Sequence, residues 1–209
     1  SDIEKTGGTL ITTGSTISAQ SNLSITSDST ISLETVELDG KTVSLGSGTS
    51  DLFLTGSFSI DDSNASLNSG EADLTVEGLS TLSNGTLKST IGTITFSSGG
   101  SQLGDFELDL GESILSLGSD FTKSSGEIIS SSATLDLTSN LTLTSDSGLK
   151  FNQLNLNNKT LTLGSENSDF EITSDLNIDN SNEGVITGGA DFQLSGSFSA
   201  SDGSLTSTG

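Results

Sequence analysis

An internal repeat constrains this chain more than any other feature of its sequence. The stretch SNLSITSDSTISLETVELDGKTVSLGSGTSDLFL begins at Ser21. It realigns with SNLTLTSDSGLKFNQLNLNNKTLTLGSENSDFEI, which begins at Ser139, an offset of 118 residues. The offset holds without a gap as far as Thr90 against Thr208, at roughly 40% identity. Residues 1–118 are therefore read as one copy of a superrepeat and residues 119–209 as a truncated second copy, both within one continuous solenoid.

A finer period lies inside the large one. Short alternating units recur at Ile17/Ala19, Leu23/Ile25, Ile31/Leu33, Leu38, Val43/Leu45, Leu52/Leu54, Phe58/Ile60 and Ala65/Leu67. Every third unit is separated by about 20 to 22 residues, which predicts about three short strands per coil of about 20 residues. The predicted fold is all-β, a parallel β-helix with about six coils in each superrepeat. A coil of this length cannot bury its own inward row, but stacked coils bury a continuous ladder of Leu, Ile, Val and Phe.

The two copies also act as a substitution experiment. Ile25/Leu143, Leu33/Phe151, Val43/Leu161, Leu52/Phe170, Phe58/Leu176, Leu74/Phe192 and Val76/Leu194 exchange one apolar residue for another, as a packed interior tolerates. Phe53/Glu171 and Ala65/Glu183 exchange apolar for charged, so both positions are expected to face water. An immunoglobulin-like sandwich is the rival for a repeat of this length. It has no place for the coil-level period, and the chain lacks the Trp and Tyr usual in sandwich cores.

Composition narrows the function. The chain has no Pro, Cys, His, Met, Trp or Tyr, and its six basic residues are all lysines, against 28 acidic residues and a net charge of -22. Nucleic-acid binding is disfavoured, because phosphate contacts need clustered Lys and Arg. Attraction to anionic lipid is disfavoured for the same reason, and no apolar run is long enough for membrane insertion. Without His or Cys there is no Ser-His-Asp or Cys-His centre and no soft-metal site. A polysaccharide lyase on this fold would want basic residues that are too sparse here, so the expectation is a protein that is not an enzyme.

The stretches GGTLITTGSTISAQSNLSITSD and LNLNNKTLTLGSENSDFEITSDLNI resemble repeats of bacterial right-handed parallel β-helix surface proteins. These include filamentous-haemagglutinin-type adhesins and autotransporter passenger domains. The resemblance covers the whole chain as pattern and composition rather than as a diagnostic motif, and it carries over no functional residue. It implies a right-handed β-solenoid, an extracellular or cell-surface location, and a rigid acidic stalk or coat. Partners would be neighbouring repeats of the same chain, with host or cell-surface ligands met through parts outside this sequence. The alternative is a self-assembling subunit of an extracellular filament or sheath, with copies joined end to end.

Asp61, Asp62 and Asn64, with Asp179 and Asn182 in the second copy, could offer oxygen ligands to Ca²⁺ at a coil corner. No EF-hand or GGxGxD pattern accompanies them, and turn formation is the plainer reading, so no cofactor is expected. The pairs Thr142/Thr144 and Thr160/Thr162 suggest an ice-binding array. Their counterparts Ser24/Thr26 and Thr42/Ser44 break its regularity. Lys41 and Lys159, at the same superrepeat position, are read as solvated or as offsetting nearby carboxylates. The Asn-x-Ser/Thr triplets at Asn22, Asn64, Asn84, Asn140 and Asn158 arise readily in so Asn- and Ser-rich a chain.

Overall fold

The computed structural model describes residues 2–5 as backbone, and residues 14–102 and 104–207 with their side chains. The chain winds as a parallel β-solenoid of about nine turns with about 21 residues per turn, all-β and without a helix among the described residues. Every strand pairing among the described residues is parallel, each strand lying on the one a coil earlier. At about 4.8 Å per coil the stack rises about 43 Å.

Alternation explains why these residues form these strands. In Leu23–Ser27, Ile31–Leu33, Thr42–Leu45 and Leu52–Leu54, buried residues alternate with half-exposed Ser, Thr or Phe. The inward rows fuse into a single apolar core running the length of the stack. Each large side chain fully buried there contributes about 1.5–3 kcal/mol. Corners are closed by residues suited to the left-handed region. Asp39 and Gly40 have φ of 47° and 68°, and their superrepeat counterparts Asn157 and Asn158 have 52° and 62°. Asn and Asp tolerate that conformation better than other side chains, so the same corner survives the loss of the glycine.

Side chains also tie one coil to the next at the corners. The Asp51 carboxylate accepts from the Asp73 N–H at 3.0 Å, and the Asp73 carboxylate from the Thr93 N–H at 2.7 Å. Asp169 does the same for Asp191 in the second copy. The Asn22 and Asn140 amide oxygens each accept from the threonine N–H one coil on, at Thr42 and Thr160. A buried serine cluster repeats as closely: the Ser27 N–H donates to Ser50 Oγ and the Ser145 N–H to Ser168 Oγ, both at 2.8 Å.

The core also repeats in a correlated way. Leu33, Leu52 and Leu74 become Phe151, Phe170 and Phe192 together. The three rings stack on one another, with centroids 5.7 Å and 6.2 Å apart. Phe170 and Phe192 follow Leu149 in one inward row and Phe151 starts the neighbouring row below Ile172 and Leu194, so the rings fill parts of two rows with the backbone ladder retained.

The superrepeat does not contain a whole number of turns. Face by face, Ile31 stacks under Leu52, then Leu74, Ile94, Leu115, Leu135 and Leu154. Leu149, the counterpart of Ile31, is not on that track. It stacks instead under Phe170 and Phe192 on a different face. From Ile31–Leu33 up to Leu141–Ser145 there are fifteen strands, and two of them, Phe58–Gly70 and Ser80–Ser89, bend through a corner to serve two faces. That makes seventeen strand segments at three per coil, or five and two-thirds turns, where the sequence reading expected about six. The second copy is accordingly turned by one face, about a third of a revolution, relative to the first.

One inside-outside expectation is overturned. Ala65 and Glu183, expected to face water, are 3% and 8% exposed. Phe53 and Glu171 lie half-exposed on the outer side of their strands, as expected.

Candidate functional site: a corner notch that recurs in both copies

Two surface notches occupy the same superrepeat position. The first, of about 400 Å³, lies between residues 35–39 and the next coil, and Glu37, Asp39, Asp61, Asp62 and Ala65 line it. The second, of about 350 Å³, lies between residues 153–158 and the coil above, lined by Asn155, Asn157, Asp175, Asp179 and Glu183 among others. Their cause is local. The lower coil turns tightly at its left-handed pair, closed by the Lys41 N–H donating to the Leu38 carbonyl and by Lys159 to Leu156. The upper coil takes a longer path through the same corner.

The residues considered for Ca²⁺ fall at this corner. Asp61 and Asp62 line the first notch. Asp62 Oδ1 accepts from the Asn64 N–H at 2.8 Å and from Asn64 Nδ2 at 3.1 Å, which closes a turn. In the second copy Asp179 lines the notch, and its carboxylate accepts from Asn177 Nδ2. Asn182 donates its N–H to Asn180 Oδ1 at 3.0 Å, the same turn again. Among the described residues, no three Asp or Glu side chains are grouped as a metal ion would require. Asp62 and Asn180 each accept from the backbone of their own turn.

Glu183 shows why an acidic residue is buried here. Its Oε1 accepts from the Asn158 N–H at 3.1 Å and its Oε2 from the Asp179 N–H at 3.0 Å. The carboxylate thus bridges the two coils that bound the notch, and two N–H donors compensate its burial. Ala65 leaves the same place open in the first copy, and that notch is the larger.

Sequence reasoning missed the main charged group of the interior. Lys123, 3% exposed, sits in an inward row and donates to the Asp146 carboxylate and to Ser147 Oγ. The hydrogen bond from Lys123 holds the Asp146 carboxyl below its ordinary value, against the opposing effect of burial. The signal was present in the repeat: Lys5 and Asp28 hold the same two positions in the first copy. Lys88–Asp109 and Lys150–Glu171 are exposed coil-to-coil pairs, and Asp109 holds the Lys88 ammonium above its ordinary value. Lys41 and Lys159 form no ion pair among the described residues.

Among the described residues the outer faces carry no uniform threonine array. Along one track the outward residues run Ser32, Phe53, Thr75, Thr95, Ser116, Asp136 and Asn155. Along another, Thr142 and Thr162 are followed by Ile186. No helix is long and apolar enough to cross a membrane among the described residues. No protein-family model, curated protein or solved structure matches the chain.

Proposed function

We propose that this chain is a rod-forming segment of a large extracellular surface protein, serving as a rigid acidic stalk or coat. The observation that carries the reading is the uninterrupted stacking across the superrepeat boundary. Phe96 stacks under Leu117 and Leu137, and Gly100 under Phe121 and Leu143, so residues 118 and 119 lie inside one ladder. Copies of such a unit add length without adding hinges. A net charge of -22 keeps neighbouring rods apart and soluble. Corner notches that recur with the superrepeat suit a spacer whose ligand contacts lie elsewhere in the parent protein. Adhesion and cell-surface location rest on the resemblance to adhesin repeats.

The test is a length series of one, two and three superrepeats examined by small-angle scattering and electron microscopy. A stalk grows by about 27 Å per superrepeat and stays monomeric. Globular particles, or a chain that bends at each junction, would remove the basis for the reading. Immunolabelling of producing cells with and without permeabilisation tests the location: surface signal on intact cells supports it, and signal only after permeabilisation refutes it.

A further inference from the structure

Midway along the stack the core loses bulk and gains polar atoms. On the face that carries residues 58–60, 80–82, 100–102 and 121–123, one inward row reads Phe58, Ser80, Gly100 and Phe121 from coil to coil. All four are buried, so two large rings bracket a serine and a glycine. The row beside it reads Ile60, Leu82, Gln102 and Lys123. Among the described residues, Ser80 Oγ and Gln102 Oε1 are the buried side-chain atoms that find no hydrogen-bond partner in the protein. They lie on consecutive coils at adjoining inward positions. Ser80 sits under Gly100, and Gln102 is two residues further along the strand Gly100–Gln102.

The orientation of the Gln102 amide is fixed. Its Nε2 donates to the Phe106 carbonyl at 3.0 Å and to the Glu127 carbonyl at 2.9 Å. Turning the amide over would set its oxygen against those two carbonyls, so Oε1 is the atom without a partner. Lys123, directly over Gln102, gives its ammonium to Asp146 and Ser147 instead. Gly100 brings no side chain between the two coils, and none would fit. A Cβ there would come 2.8 Å from the Ser80 carbonyl oxygen and 3.4 Å from the Phe121 ring. A buried carbonyl oxygen and a buried hydroxyl left bare would each forfeit the hydrogen bonds that solvent gives them in the unfolded chain, and enclosed water is the usual remedy.

We propose that Ser80 Oγ and Gln102 Oε1 bind one water molecule enclosed between these two coils. The water donates to Gln102 Oε1, which only accepts, and shares a second hydrogen bond with the Ser80 hydroxyl, which donates or accepts. The site lies inside the stack and is independent of where the rod acts.

Oxygen-17 magnetic relaxation dispersion, which counts waters held inside a protein, tests this on the unmodified chain and on Ser80→Ala. Loss of the hydroxyl takes a partner from the water. It should lower the count of long-lived waters by one and lower Tm by about 2–4 °C. A hydroxyl that is bare in the folded protein acts the other way, and its removal raises Tm. A rise in Tm, or equal water counts in the two proteins, would overturn the proposal. A crystal structure of the unmodified chain gives an independent reading. Density for a water within hydrogen-bond distance of both atoms is expected. Ser80 Oγ bonded directly to Gln102 Oε1, with nothing between them, would refute the site.

Discussion

The buried ammonium of Lys123 meets the Asp146 carboxylate of the next coil, and Ser147 Oγ at 2.9 Å completes its contacts. Lys123 lies under Ser145 and over the buried Gln102 in an inward row. An ammonium there is costly unless it is paired. The pair therefore penalises any register in which Lys123 loses its acid. Backbone register agrees in the first copy, where Lys5 lies under Ser27.

Removing the acid and removing the base should differ. Asp146→Ala strands the ammonium and should cost about 1–3 kcal/mol, less than a fully buried pair would, because Asp146 is partly exposed to water. Lys123→Met removes the buried charge with little change in volume and should stay within about 1 kcal/mol of the parent. Guanidinium unfolding of both variants checks this, and equal losses would show that the charge pair is not what matters.

Acid should loosen this contact at low pH only. The Asp146 carboxyl is held below its ordinary 3.8 by Lys123. A depressed folded-state value means the stabilisation is complete above 3.8 and is lost as pH falls through the lower folded value. Parent and Asp146→Asn stabilities should therefore converge as pH drops below 3.8, having differed by a constant amount from pH 5 to 7. A gap that closes near neutrality would contradict the assignment.

Glu183 should behave as a structural carboxylate. Glu183→Ala deletes acceptors for the Asn158 and Asp179 N–H groups and should cost about 1–3 kcal/mol. Hydrogen exchange at those two amides should rise in the variant. Unchanged exchange would mean that the notch corner holds itself together without Glu183.

The inner and outer rows should respond oppositely to charge. Leu163→Asp places an unpaired carboxylate in the core and should abolish folding or cost more than about 4 kcal/mol. Phe53→Glu, on the half-exposed side, should change stability by less than about 1 kcal/mol, because Glu171 already occupies that position in the second copy. Circular dichroism and urea titration distinguish the two.

The strand faces were legible because alternation marks inward residues whatever lies beside them: Leu52 and Leu54 turn in, and Phe53 turns out. Which unit stacks on which was not legible. The step between stacked residues runs from 19, Leu135 to Leu154, to 24, Val43 to Leu67. With coils that uneven, counting units along the sequence cannot separate six turns from five and two-thirds. Glu183 was misread because a charged residue opposite alanine looks like a surface position. Nothing local reveals that two N–H groups from different coils converge on it. Lys123 was overlooked for the complementary reason, its partner being 23 residues away on another coil.

The fractional turn has a consequence for any rod built from this unit. A feature fixed in the superrepeat, such as the corner notch, faces a new direction in each copy. It returns to the same face after three copies, or about 82 Å.

Nitroxide pairs provide the most direct test of that geometry. In the parallel register Asp136 lies under Asn155, and Asn155 Nδ2 donates to Asp136 Oδ1 at 3.2 Å. If the superrepeat held six whole turns, Lys150, the counterpart of Ser32, would take that place instead. The account predicts strong dipolar broadening for labels at residues 136 and 155 and none for labels at 136 and 150. Broadening in the 136/150 pair and its absence in the 136/155 pair would contradict it.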